Sequence, residues 1–401
     1  MKFISRLIII LGFISILSLV IAYARGYRLD LQKKLVTSTG ILAISSSPKA
    51  AKVYINDELK GVTDINITLP PANYKIEIKK DGYTNCIKPV SLKGELVVSI
   101  DCLLFPSNPS LSPLTNLGVF KAVSLDQTDR ILIFTENNPG IYLYEAGKKP
   151  LSLLSPLKLI LLKKNLPAEI DFKTADVSLS PDFKQAIVEF KISNLIPIKS
   201  GQISNIAYLL SLEEENTNLF DVTTSKDTLL EAWNKQRDSD YQKILETFPK
   251  DIAKIASDSF HIVSFSANET KLLYQAKTNS VLPLLINPPL IASNQTTDVR
   301  TLKKDRLYVY DRKEDKNFEI SNFKFQISNS IFWYPDSKHL SFTESNKVTV
   351  IDYDGNNKQV VYSGPFENSF FNVTGDGNLV ILANLNPETN KYPDLYAVGI
   401  R

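Results

Sequence analysis

The sequence predicts a mainly β protein: an N-terminal transmembrane helix, a small antiparallel β-sandwich, then a β-propeller of about six blades with a helical insertion. Three observations lead there. Leu7 to Ala24 holds no charged residue. From Thr39 to Tyr83 apolar and polar residues alternate in short runs broken by turn residues, the period of half-buried strands. Beyond Asn116 a pattern of strand, polar turn and strand recurs, which marks a repeat architecture.

Composition agrees. With 401 residues the chain is long enough for more than one core. Its 17 Tyr and 20 Phe, interleaved with Ile and Val, are strand composition. Lys and Arg number 46 against 43 Asp and Glu, and the net charge of +3 is not gathered into a basic stripe, so no nucleic-acid partner is expected.

Residues 1–34 form the expected membrane anchor and juxtamembrane segment. The uncharged run of about 18 residues spans roughly 27 Å as a helix, close to the hydrocarbon thickness of a bilayer. Two fates stay open. The run exceeds a signal peptide's apolar region of roughly 7 to 15 residues, which favours a retained single-pass anchor. Lys2, Arg6 and the small-x-small triplet Ala22-Tyr23-Ala24 fit secretion after cleavage following Ala24. Arg25, Arg28, Lys33 and Lys34 follow the run, and a positive-inside count would keep the rest of the chain in the cytoplasm. The module that follows argues for the opposite orientation, with the bulk of the chain extracytoplasmic.

That module occupies residues 35–104. Strand candidates Gly40 to Ser46, Lys52 to Asn56, Ile65 to Leu69, Tyr74 to Lys80, Cys86 to Leu92 and Leu96 to Leu103 are separated by Ser-Pro, Asn-Asp, Pro-Pro, Asp-Gly and Lys-Gly turn signals. Each keeps one apolar face. The order Ser47-Pro48, Ala51 to Asn56, Gly61 with Thr63, Leu69-Pro70-Pro71, Tyr74 and Lys80-Asp81-Gly82-Tyr83 resembles a PEGA domain, a bacterial surface-associated module. The resemblance implies adhesion, scaffolding or ligand display and brings no catalytic residues. Ala50, Asp64 and Ala72 stand where the family usually has Gly, Pro and Gly, so alanine carries strain wherever the turn needs positive φ.

Cys86 and Cys102 lie in the last two strand candidates. If these form a hairpin with a three-residue tip at Lys93 and Gly94, the cysteines fall opposite one another on one face at a bridgeable distance. A two-residue turn sends them to opposite faces. A disulfide would fit an oxidising compartment, whereas two reduced thiols filling apolar gaps would not require one.

Residues 105–116 read as a Pro- and Ser-interrupted linker, and 117–401 as the propeller. Repeat starts fall near Val123, Val177, Val263, Phe332 and Asn372, with polar turns such as Ser180-Pro181-Asp182 and Tyr334-Pro335-Asp336-Ser337. The texture resembles the blades of TolB-like or WD40-like propellers. Residues 224–257 break it: Leu229, Leu230, Trp233, Tyr241, Ile244, Leu245 and Phe248 recur at helical spacing, and Pro249 opens a second helix. Leu229, Trp233 and Tyr241 are the expected partner surface of this insert. Covering an exposed blade edge is the other reading.

Catalytic patterns are sparse. The histidines, His261 and His339, lie in or beside strand patterns without a Cys or second His nearby, as packed or edge residues do. Asp352 to Asn356 carries the alternating carboxylates of a calcium loop but not the distal Glu, and reads as a glycine turn. Arg312 to Asn317 reads as a solvated turn, and Trp233 and Trp333 as packing residues. No Gly-x-Ser-x-Gly elbow or phosphate loop occurs. The expectation is a non-enzymatic cell-envelope protein without cofactor or metal, whose propeller binds an envelope protein or glycan. The alternative is a propeller hydrolase or lyase with its site in the channel.

Overall fold

The computed structural model describes residues 2–24, 27–30, 35–125, 129–146, 156–192, 205–291, 293–320, 331–367 and 370–400. The chain divides into two units, Met1–Asn108 with Leu284–Asp298, and Pro109–Pro283 with Val299–Arg401.

The first unit begins with α1, Lys2–Ala24. Arg6–Tyr23 is long and apolar enough to cross a membrane, and none of it is buried. Leu, Ile and Phe side chains face outward all round it, as expected of a membrane anchor or a signal sequence. Arg25, Lys33 and Lys34 lie outside the described residues.

The sandwich follows. One sheet orders Ile65–Leu69, Gly40–Ser47 and Val97–Leu103; the other orders Glu58–Val62, Lys52–Ile55, Ala72–Lys79 and Cys86–Leu92. Between them lies a core that includes Leu42, Ile44, Val53, Ile55, Ile76, Ile78, Val98 and Ile100. Two expectations are corrected. Gly40–Ser47 runs parallel to Val97–Leu103, so the sandwich is mixed. Cys86–Leu92 and Val97–Leu103 do not form a hairpin but join different sheets. Gly40 permits the passage from one to the other, because a Cβ there would collide with the Lys93 carbonyl oxygen.

The motif residues acquire roles. Asn56 and Asp57 both take positive φ, as the tight turn between Lys52–Ile55 and Glu58–Val62 demands. Buried Thr63 accepts a hydrogen bond from the Ala51 N–H at 3.0 Å and pairs with the Ser46 hydroxyl at 2.6 Å. Ala50 sits at φ 59°, so the alanine standing at a glycine position is held in the left-handed region. Ala72 keeps negative φ. On the outer edge of Cys86–Leu92, the Gln295 amide mimics a neighbouring strand: Ser91 N–H donates to its Oε1 at 2.5 Å, and its Nε2 donates to the Ser91 carbonyl at 2.9 Å.

Among the described residues the second unit contains five four-stranded antiparallel sheets, within the expectation of about six blades. The first blade is Val119–Ser124, Arg130–Thr135, Gly140–Glu145 and Leu157–Leu162. The second is Ile170–Leu179, Gln185–Ile192, Asn205–Ser211 and Phe220–Asp221. The third comprises Phe260–Phe265, Lys271–Ala276, Leu307–Asp311 and Lys316–Glu319, and the fourth Ile331–Trp333, His339–Glu344, Lys347–Asp352 and Gln359–Tyr362. The fifth joins Phe371–Val373, Leu379–Ala383 and Asp394–Gly399 to Ser110–Pro113. The last pairing closes the ring with a strand from the stretch read as linker. Each repeat start read from the sequence falls in the first strand of a blade.

Helices α2, Lys226–Leu245, and α3, Lys250–Ser259, intervene between the second and third blades. Apolar clusters join the fifth blade to the first, the first to the second and the third to the fourth. Phe332 and Phe371, 5.1 Å apart, join the fourth to the fifth. Between the second and third blades α2 supplies the packing: Leu229, Leu230 and Trp233 rest on Ile187, Ala207 and Val222, while Tyr241 meets Phe265 at 5.6 Å.

Candidate functional site

The turn between the first and second strands of a blade repeats one hydrogen-bonded latch. In the second blade the Ser180 hydroxyl donates to Asp182 at 2.7 Å and accepts from the Gln185 N–H at 2.9 Å. In the third, the Ser266 hydroxyl donates to Asn268 Oδ1 and accepts from the Lys271 N–H. The Thr374 hydroxyl donates to Asp376 in the fifth. One residue of each turn takes positive φ: Phe183, Glu269, Ser337 and Gly377. The hydroxyl holds the Asp182 carboxyl below its ordinary pKa.

Neighbouring latches touch. Arg130 Nη1 donates to the Phe183 carbonyl, the Asn268 N–H to Ser337 Oγ, the Tyr334 hydroxyl to the Gly377 carbonyl, and the Gly375 N–H to Asp129. At the gap between the second and third blades, Arg237 of α2 donates to the Leu179 carbonyl at 3.4 Å.

His339 belongs to the fourth latch. It is buried, with Nδ1 2.6 Å from Asp336 and Nε2 3.1 Å from Asp352. Burial pulls its pKa down, but the hydrogen bonds and charges of the two carboxylates outweigh that and raise it to about 9. The imidazolium thus clamps the turn to the third strand of its blade. His261 is exposed on Phe260–Phe265. No group of three or more His, Cys, Asp or Glu side chains able to hold a metal occurs among the described residues.

The residues singled out by sequence lie in separate places. Cys86 and Cys102 are joined by a disulfide with their Cα atoms 6.2 Å apart. It links the two sheets of the sandwich, not two strands of a hairpin. Leu229, Trp233 and Tyr241 are half-buried against the protein's own blades. Trp333 lies in the core between the third and fourth blades. The charge run at Arg312 to Asn317 is only partly solvated. Asp315 is buried and accepts hydrogen bonds from the Tyr310 hydroxyl at 2.8 Å and Arg300 Nη1 at 3.0 Å, and Asn317 accepts one from Tyr274.

A pocket of about 640 Å³ opens beside the first and second blades, at the strand ends away from the latches. Its floor holds the buried side chains of Leu166, Ile170 and Phe172. Phe172 is fixed by Phe120, Phe134 and Phe190, with ring centroids 5.6 to 6.0 Å away. Asn138, Pro139 and Tyr142 form one wall. The Tyr142 hydroxyl donates to the Asn138 carbonyl, and burial raises its pKa. Opposite stands the short 3-10 turn Lys163–Asn165, pinned by the Lys163 N–H to the Pro139 carbonyl at 3.0 Å. Lys163 and Lys164 are exposed at the mouth and form no ion pair among the described residues. Sequence reasoning passed over this site; the available signal was the lysine pair directly after the apolar run "LKLILL".

Residues 39–108 match the family model of the PEGA domain. The match contains the sandwich and its disulfide. No curated protein matches the chain. Among solved structures, a TolB candidate from Agrobacterium tumefaciens aligns over 64% of this chain and 66% of its own, at 11% identity and a TM-score of 0.20. Oligogalacturonate lyase from Vibrio parahaemolyticus aligns over 88% and 96%, at 7% identity and a TM-score of 0.24. Porphyromonas gingivalis dipeptidyl peptidase 4 aligns over 68% and 46%, at 9% identity and a TM-score of 0.19. The blade assignment stands on the strand pairing of this chain, and no activity is carried over from these proteins.

Proposed function

We propose that this is a non-enzymatic cell-envelope protein, anchored by α1, in which a PEGA-domain stalk and a five-bladed propeller serve to bind a protein or glycan partner outside the cytoplasmic membrane. The observation that carries the reading is the fully exposed apolar surface of α1 directly ahead of the PEGA domain. Such a surface needs lipid, because water-exposed apolar area on this scale is costly. The disulfide supports the oxidising side of the membrane. The non-enzymatic reading is supported by the engagement of the buried His339 imidazole, on both ring nitrogens, by Asp336 and Asp352 within its turn.

Protease added to intact spheroplasts containing the full chain tests the topology. Digestion of the propeller, with α1 retained in the membrane fraction, is the expected result. Protection until lysis would place the propeller in the cytoplasm and overturn the reading, and recovery of a soluble chain lacking residues 1–24 would replace the anchor by a cleaved signal.

A further inference from the structure

We propose that the pocket beside the first and second blades binds an amphipathic anion: a carboxylate or phosphate carried on an apolar body. This goes beyond the display of a partner-binding propeller and does not depend on which side of the membrane the propeller occupies.

Size comes first. About 640 Å³ falls within the range that encloses a drug-sized ligand, roughly 300 to 1,000 Å³. The chemistry of the floor then selects against polar occupants. The side chains of Leu166, Ile170 and Phe172 offer no hydrogen bonds, so a sugar hydroxyl buried there loses its water partners without replacement. An acyl or aromatic body loses nothing there and gains by leaving water.

Charge at the mouth completes the selection. Lys163 and Lys164 follow each other on one turn, and among the described residues no Asp or Glu lines the pocket to neutralise them. Lys163 Nζ also stands 5.9 Å from the Phe172 ring centroid, which places a cation directly over the apolar floor. An anion seated at Lys163 Nζ, with its apolar tail on Phe172 and Lys164 also lining the pocket, satisfies both halves of the site at once.

The wall is built rather than incidental. The Lys163 N–H bond to Pro139 fixes the turn against the facing hairpin. Asn138 takes positive φ, and its carbonyl accepts from both Tyr142 and Thr135. Gly140 completes the hairpin because a Cβ there would press on the Leu161 carbonyl oxygen at 2.8 Å.

The test uses the full chain in lipid nanodiscs and two photoreactive probes, decanoate and decanol, each with a diazirine near the tail end. Labelled peptides are mapped by mass spectrometry. The acid is expected to label the stretch 138–172 saturably and at least tenfold more than the alcohol. Replacing both lysines, Lys163→Gln with Lys164→Gln, should lower acid labelling about tenfold and leave alcohol labelling unchanged; both side chains are exposed, so the fold is not at stake. Ala168→Trp, on the exposed wall, should block both probes by filling the space. Equal labelling by acid and alcohol in the native chain overturns the proposal, as does labelling that ignores Ala168→Trp or is absent from 138–172.

Discussion

The PEGA domain and the propeller face one problem, how to hold short strands in place, and meet it differently. The PEGA domain spans residues 39–108, and a domain of that size buries a smaller share of its surface than a large one does. It adds a covalent link between its two sheets at Cys86 and Cys102. The propeller uses no covalent link. It repeats a hydroxyl-carboxylate or hydroxyl-amide latch in the second, third and fifth blades and lets neighbouring turns touch, except between the second and third, where Arg237 of α2 reaches the turn instead. A cross-link concentrates stability in one bond, whereas a ring of latches spreads it over many small terms, each near the modest net value of a hydrogen bond.

The sharpest way to break the contrast is alkaline pH, which acts on the His339 latch and leaves the disulfide alone. His339 has a folded pKa raised to about 9 from 6.5. Its contribution is therefore complete below about pH 6.5 and is lost as pH rises through about 9, on the order of 3 kcal/mol in total. Asp336 is shifted the other way: its burial is outweighed by the bonds it accepts from His339. Its share is present above about pH 4 and fades on further acidification. Urea unfolding of the propeller should thus be most resistant near pH 5 to 6, and His339→Gln should flatten the alkaline limb. An alkaline limb that persists in that variant would assign the loss to another group.

Removing the cross-link by Cys86→Ala with Cys102→Ala comes next. With a sequence separation of 16, the chain-entropy argument gives a loss of about 3 kcal/mol in the PEGA domain. Site-specific fluorescence probes in the two units should report a lower unfolding midpoint for the PEGA domain and an unchanged one for the propeller. Equal shifts in both would show that the two units unfold as one.

The smallest effect sharpens the comparison from the backbone side. Ala50 at φ 59° carries a steric cost that glycine avoids. Ala50→Gly should stabilise the PEGA domain by about 1 kcal/mol, reduced by the extra freedom glycine has when unfolded. The opposite substitution in the propeller, Gly377→Ala at φ 85°, should destabilise its fifth latch by a similar amount. Thermal midpoints that move in the same direction for both variants would contradict the strain argument.

Local pattern was legible wherever a side chain's role follows from its neighbours in the chain. The uncharged run of α1, the alternation of the sandwich strands, the five repeat starts, the helical spacing of Leu229, Trp233 and Tyr241, and the turn chemistry of Asn56-Asp57 all rest on periodicity or on the φ that a residue type tolerates. These are properties of a few consecutive residues, and the primary structure contains them.

Partnership between distant strands was a different matter, because alternation says which face is buried but not against what. Cys86–Leu92 and Val97–Leu103 have one apolar face each and a Lys-Gly turn between them, which suits a hairpin as well as it suits a crossing between sheets. Only the assembled core, with Gly40 leaving room for Lys93, decided for the crossing. The same holds for Ser110–Pro113, which reads as linker until Asp394–Gly399 lies beside it and needs an outer neighbour. The helical spacing of α2 did not say which blades it meets; it rests on the second and reaches Phe265 of the third. The pocket was illegible for the same reason. Its floor residue Phe172, its wall residue Tyr142 and its lysines come from two blades and the turn between them, and only tertiary packing brings an apolar floor under two neighbouring cations.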